Sequence, residues 1–335
     1  MTILADYSQI DPAAWDILSK TSPVKSWFQT REAFLFFDSL GFVDAFVVAV
    51  TESDQLKGVV VGYVQGDGNW LKQRLSRRAI IVGGPLLDCD ITEVQLSAML
   101  KAMRDQIRGK AIYVETRNLN DYSKWRGVFE GCGFSYQKHL NFHLDTSSKS
   151  TIDNNLSRTR KRHIRVGLRD GAVMEPVCND SEAAEFYQIL SDLYRHKVRK
   201  PLPPQEFFLK LRRLSSARLL AVKYQGHVIG GMAYVELQGS VGYEWYVCGM
   251  DDTYKNLYPS ELATYAGLEY AANNGCTRFD FMGAGKPDVP YGVRDFKALF
   301  GGMLVEHGRF LLINNPLLFK LGKTVVNLLG KLYRL

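Results

Sequence analysis

A spacing near 168 residues recurs along this chain and limits what it can fold into. The run Lys57-Gly58-Val59-Val60-Val61-Gly62 matches Gln225-Gly226-His227-Val228-Ile229-Gly230, with Gly58 and Gly226 168 positions apart. The helix-start residues Thr92 and Ser260 are separated by the same 168 positions, and the strands that follow, at Ile112 and Arg278, by 166. One spacing shared by three elements implies a duplicated unit. In each copy the residues read as a hairpin, a third strand, a helix and a parallel strand. The first hairpin is Asp44–Thr51 with Gly58–Val64, and the second begins at Ala217–Lys223 and Val228–Leu237. The helix from Thr92 carries Leu96, Met99, Leu100, Met103 and Ile107 on one face, the 3–4 spacing of an amphipathic helix.

The fold class expected is therefore α+β: two tandem units, each a mixed, mostly antiparallel sheet flanked by helices. Asn141–Leu144 is expected to close the first sheet, and the polar run Asp145–Ser150 reads as a linker. That gives a first unit over 1–147 and a second over 148–335. The second ends on an amphipathic helix from Pro316 to Leu335, with Leu318, Leu321, Val325, Leu328, Leu329 and Leu332 as its stripe. Docking onto the domain and peripheral membrane contact are its two readings.

Composition narrows the class. With 335 residues and 46% hydrophobic content the chain suits two globular domains rather than a disordered protein. A net charge of +7 favours anionic partners such as phosphates, nucleic acid or an anionic surface. Five Cys without a C-x-x-C pair argue against a disulfide framework and a Cys-based zinc site, and the six His are scattered, so no metal is expected. The N-terminus shows no basic stretch followed by an apolar core, and no apolar run reaches the roughly 18 residues of a membrane span. A cytoplasmic protein is expected.

Chemistry concentrates between Gly275 and Gly302. A strand at Arg278–Phe281 places Asp280 opposite Phe279 and Phe281, and a loop rich in Gly and Pro leads to Phe296-Lys297-Ala298-Leu299-Phe300-Gly301-Gly302. Lys297 between two aromatics is either a surface lysine lying over Phe296 or a cation held to meet an oxyanion. Seven of the twelve residues from Arg158 to Arg169 are Arg, Lys or His. Like charges that dense repel along a helix, so Arg160, Lys161 and Arg162 are candidates for phosphate contact; a plain solvated helix is the other reading.

These motifs resemble the FemAB/FemX-like aminoacyltransferases, tandem-GNAT enzymes that build peptidoglycan cross-bridges, within a wider BioF2-like group. The similarity rests on D-F-x-G at Asp280, F-K-x-x-F-G-G at Phe296–Gly302, Gly84-Pro85-Leu86-Leu87-Asp88 and the basic helix. It implies an acyl transfer from aminoacyl-tRNA to an amine of a peptidoglycan precursor, or another amine acceptor, without a cofactor. Lys297, held by Phe296, would stabilise the oxyanion, and Asp88 or Asp280 would take the amine proton. Arg195 and Arg199 would meet the acceptor's phosphates, and Tyr246 would contact substrate. Cys248 stands where the family often has a second Tyr. An acyl-CoA N-acyltransferase of surface-polysaccharide synthesis and a non-catalytic binding module of the same fold are the alternatives. The amino acid, the acceptor and the oligomeric state are left open.

A pyrophosphate needs consecutive free N–H groups at a helix start, yet Tyr254–Ser260 holds no glycine and Pro259 removes a donor. Isothermal titration is therefore expected to show no saturable acetyl-CoA binding at sub-millimolar concentration. A micromolar dissociation constant would overturn the aminoacyl-tRNA donor and favour acyl-CoA.

Overall fold

The computed structural model describes residues 1–66, 76–322 and 324. It holds two units, Met1–Lys138 with the chain from His307 onward, and His139–Glu306. The first unit has strands β1 (Thr2–Leu4), β2 (Asp44–Glu52), β3 (Gln55–Gln65), β4 (Arg78–Gly83), β5 (Leu86–Leu87), β6 (Tyr113–Asn118) and β7 (Ser135–Gln137), plus a last strand at Arg309–Ile313. They form one sheet in the order β1-β2-β3-β4-β6, then Arg309–Ile313, then β7, with β5 beside β3. Helices α1 (Pro12–Thr21), α2 (Arg31–Asp38), α3 (Glu93–Gln106) and α4 (Arg126–Gly131) accompany it.

Thr92 and Gln95 make a reciprocal capping box that starts α3. From there Leu96, Met99, Leu100 and Met103 pack with Val48, Val50, Val60 and Val114 into one core. β3 and β4 pair only from Tyr63 to Gln65. Past that point the buried Gln29 side chain joins them, donating to Val61 O at 2.9 Å and Val82 O at 2.8 Å and accepting from Val61 N at 2.8 Å. β4 and β6 run parallel and stay paired from Arg78↔Tyr113 to Gly83↔Asn118.

The second unit has β8 (Leu140–Asp145), β9 (Val173–Pro176), β10 (Ala217–Tyr224), β11 (His227–Leu237), β12 (Val241–Gly249), β13 (Arg278–Asp280) and β14 (Met303–Glu306). Its sheet runs β14-β8-β13-β12-β11-β10-β9. Its helices are α5 (Lys149–Asn155), α6 (Arg158–Arg169), α7 (Asp180–Leu193), α8 (Gln205–Leu211), α9 (Pro259–Asn273) and α10 (Gly292–Ala298), with a π-helical turn at Tyr194–Val198. The apolar face of α9, including Leu262, Ala263, Leu268 and Ala271, shares a core with Met232, Tyr234 and Phe279. Among the described residues no helix is long and apolar enough to cross a membrane.

Two expectations change. The division falls between Lys138 and His139 rather than after 147, because β8 pairs with β13 and β14 instead of the first sheet. The C-terminal return belongs to the first unit, where Phe310 stacks on Phe129 at 4.0 Å. Of the expected terminal helix, the described part starts at Pro316 and sets Phe319 against Tyr113 at 5.3 Å; the stripe from Val325 on lies outside the described residues.

The duplication is present, but the matched hairpin motifs are out of step. The turns are Ser53-Asp54 and Gln225-Gly226, all four at positive φ, and they stand 172 positions apart. Gly58 lies inside β3, where an added Cβ would meet Ile91 and Met99 at 3.1 Å. Gly226 lies in the turn at φ +82°. The two glycines answer different needs, space in one case and a left-handed backbone in the other.

Glu115 on β6 supplies a test of the first unit. Burial pushes its carboxyl up, but Arg117 at 2.7 Å and Arg309 at 3.0 Å outweigh burial and bring it down to about 2. A lowered carboxyl stabilises above the ordinary value of 4.5, and that contribution is lost as pH falls toward 2. Glu115→Gln should lower stability at neutral pH by roughly 2 kcal/mol. It should also flatten the acid limb of a melting-temperature curve; an acid limb with wild-type slope would show that the ion pairs contribute nothing.

Candidate active site at a fork in the second sheet

The two units treat their central parallel pair differently. In the second, β12 and β13 pair only from Val241↔Arg278 to Tyr243↔Asp280. β12 then continues to Gly249, held on its other side by β11. The opposition of Tyr234 to Glu244 and Ala233 to Tyr246 makes Trp245 the extra residue of a β-bulge at this point. The strands thus part into a fork, and the side chains at its base are charged and buried.

Glu244, Lys297 and Asp280 are 3%, 7% and 0% exposed. Lys297 Nζ donates to Phe281 O at 2.5 Å and Gly283 O at 3.1 Å and lies 3.1 Å from Glu244 Oε1. Burial pushes the Glu244 carboxyl up, against the pull of Lys297 and a hydrogen bond from Thr264 Oγ1 at 3.1 Å. Asp280 accepts from Asn141 Nδ2 at 2.8 Å, His143 Nε2 at 3.0 Å and Met282 N at 2.7 Å. Burial pushes Asp280 up as well, but His143 and the other two donors outweigh it and hold its carboxyl below the usual range.

This geometry bears on two expected roles. Asp280 is a supporting carboxylate: three of its roughly four lone-pair sites already accept donors, and its lowered carboxyl makes it a weak proton acceptor. Lys297 is no surface lysine: its ammonium is surrounded by two carbonyls and a carboxylate.

Asn141 also accepts from Gly283 N at 2.7 Å. Together these contacts hold a backbone that would otherwise be strained, since Met282 sits at φ +58° and Gly283 at +122°. The loop runs on past Gly285, where a Cβ would meet the Tyr291 ring at 2.8 Å.

The basic helix α6 divides in two. Arg160 is 2% exposed and lies between the rings of Phe296 and Phe300, 4.5 and 4.4 Å from their centroids. Its guanidinium donates to Phe296 O at 3.0 Å and pairs with Glu261. Arg160 is therefore corrected from a phosphate ligand to a core residue, and Phe296 is its half-buried partner. Lys161 is half-buried, and Arg162 and Arg165 are exposed. His163 stacks on Tyr258 at 3.8 Å and reaches both oxygens of Glu261 at 3.1 Å.

The start of α9 is closed from within. Tyr258 caps it at φ +52° and Pro259 fills its first position. Asp251 then accepts from Ser260 N at 3.0 Å and Ser260 Oγ at 2.5 Å. A carboxylate thus occupies the place where a helix terminus would draw an anion.

Beneath that loop lies a cavity of about 510 Å³, lined by Glu185, Ile189, Leu193, Lys197, Met250 and Asp252 among others. Arg195 and Arg199 are exposed on and after the π-helical turn beside it, Arg199 at φ +53°. Tyr246 is half-buried, its ring near Phe207, Phe208 and Tyr194.

Asp88 belongs to the first unit and is half-buried. It lies with Cys89 and Asp90 in the one group of possible metal ligands among the described residues. Lys57 Nζ, 2.9 Å from Asp90 and 3.5 Å from Asp88, offsets one of the two negative charges there.

Sequence reasoning missed Glu244, Asn141, His143, Asp251 and Arg294. The first three carried a signal in hindsight: each is a polar residue inside an otherwise apolar strand.

Residues 154–297 match a family model described as an acetyltransferase (GNAT) domain. Among solved structures the chain is similar to FemX, at 15% identity and a TM-score of 0.72, over 96% of this chain and 99% of that one. It is also similar to L-PGS from Bacillus licheniformis, at 13% and 0.57 over 91% and 92% of the two chains. A tandem GNAT protein from the clavulanic acid biosynthesis pathway matches at 9% and 0.56 over 94% and 99%. No curated protein matches the sequence. The duplicated sheet agrees with these likenesses, and the chain has the FemAB/FemX-like tandem GNAT fold, with a GNAT acyltransferase domain in its second unit.

Proposed function

We propose that this protein is an N-acyltransferase that moves an aminoacyl group from aminoacyl-tRNA to an amine of a peptidoglycan precursor. The closed start of α9 carries the choice of donor. With Pro259 at its first position and Asp251 on Ser260, that terminus offers a carboxylate where acyl-CoA would need free N–H groups for its pyrophosphate. The resemblance to FemX and the sharing of this fold with L-PGS agree with an aminoacyl cargo. A charged tRNA as donor makes the reaction cytoplasmic.

In this reading the acceptor nitrogen attacks the ester carbonyl carbon. A C–N bond forms and the carbonyl electron pair moves onto oxygen. Collapse of the intermediate expels the ribose oxygen of the tRNA, which leaves with the proton that the amine gives up. Lys297 meets that charge: the oxyanion replaces Gly283 O on Nζ, while Phe281 O keeps its hydrogen bond and Glu244 Oε1, 3.1 Å away, remains the counter-charge. Arg195 and Arg199 meet the acceptor's phosphates, Tyr246 lines its path, and Lys161 and Arg162 meet those of the tRNA.

Removing Lys297 alone would leave Glu244 buried and unpaired, at a cost of about 3–5 kcal/mol. The test is therefore Lys297→Met combined with Glu244→Gln, in a transfer assay with charged tRNA. Turnover should fall by about 10²–10³-fold, the effect of losing one oxyanion donor; near-wild-type turnover would sink the assignment. Reversing Lys161 and Arg162 to Glu should reduce the salt slope of tRNA binding by about 0.7–0.9 for each phosphate no longer neutralised. An unchanged slope would return α6 to a plain solvated face.

A further inference from the structure

The loop between β13 and α10 has its carbonyls gathered by two cations on that one helix. Arg294 Nε donates to Ala284 O at 2.9 Å, Nη1 to Pro287 O at 3.3 Å, and Nη2 to Val289 O at 2.8 Å and to Lys286 O. Lys297, three residues on and so on the same helix face, takes Phe281 O and Gly283 O. Six carbonyls of the stretch 281–289 thus point at α10. A guanidinium is suited to this because its donors lie in a fixed planar fork, whereas an ammonium is a single centre. Among the described residues no carboxylate lies within ion-pair distance of Arg294, so neutral oxygens are its partners.

The loop needs such a hold. Met282, Gly283 and Gly285 all take positive φ, and Met282 does so with a side chain, at a cost of roughly 1–2 kcal/mol. Its far end is exposed: Val289 is 51% and Tyr291 38% accessible. Packing does not fix that end, so hydrogen bonds must.

We infer that Arg294 is a positioning residue that sets the loop 281–291 in the shape acyl transfer requires. The inference rests on the transferase reading above and deepens it. Arg294 touches neither donor nor acceptor; it acts by fixing the backbone beside Lys297. Misplacement of about 1 Å in such a wall can cost about 10²-fold in rate.

Two variants test it in the full chain, Arg294→Ala and Arg294→Lys. Both should lower kcat by about 10–10²-fold, with donor KM changed by less than about threefold, since the interaction matters in the transition state rather than in binding. Millimolar guanidinium chloride should restore part of kcat to Arg294→Ala and leave the wild type unchanged. Hydrogen exchange should quicken over 281–291 in Arg294→Ala while the amides of β12 and α9 keep their protection. That measurement stands even where the wild type shows no transfer, which would count against the proposed function instead. Wild-type kcat in either variant, loss of kcat without guanidinium rescue, or unaltered exchange in the loop would each overturn the inference.

Discussion

The parting of β12 from β13 after Tyr243 and Asp280 is the constraint on which the second unit depends. Opening a parallel pair removes ladder hydrogen bonds from a buried sheet, and each group left unpaired costs free energy. The chain answers with side chains. Asp280 accepts three donors drawn from β8 and the following loop. Lys297 reaches in from α10 to two carbonyls of the same turn. An ammonium and two carboxylates in one buried space are stable only because each is bonded to fixed polar partners.

The first unit shows the alternative. Its parallel pair β4–β6 stays joined over its whole length, and the weak point lies elsewhere, between β3 and β4. A neutral group, the amide of Gln29, closes that gap with all its bonds satisfied. One architecture thus carries a closed sheet sealed by an amide and an open sheet held by charge. Where the second sheet opens, a buried carboxyl raised by burial, Glu244, faces the ammonium of Lys297, and perturbed pairs of this kind mark candidate sites.

Much of this was legible in the chain. The duplication announced the architecture because patterned strands and capped helices are local properties, and Thr92 caps α3 as its spacing suggests. The hairpin offset was misjudged because Gly58 and Gly226 look alike in sequence, and only backbone angles distinguish a space-saving glycine from a turn glycine. The destination of β8 was hidden for another reason: Asn141 and His143 find Asp280 about 140 positions away, and no local pattern encodes a partner so distant. Phe296-Lys297 was visible as a motif. That Arg294, one turn earlier, holds the loop was not visible, since backbone carbonyls leave no mark in a sequence.

Charge density proved a weaker guide than charge placement. The net +7 covers two populations of cations. Arg160, Lys297, Lys57 and Lys223 are at most 9% exposed. Each is spent on a carbonyl, a carboxylate or a ring; Lys223, for one, sits between Glu175 and Glu182 at 2.7 and 2.6 Å. Such groups are already neutralised or desolvated, so salt does little to them and they cannot steer a partner. Arg162, Arg165, Arg195 and Arg199 are exposed, and only charges of this kind release counterions when a polyanion arrives. The dense run on α6 therefore contributes less to recognition than its seven Arg, Lys and His residues suggest, because its most buried member holds the helix to Phe296, Phe300 and Glu261.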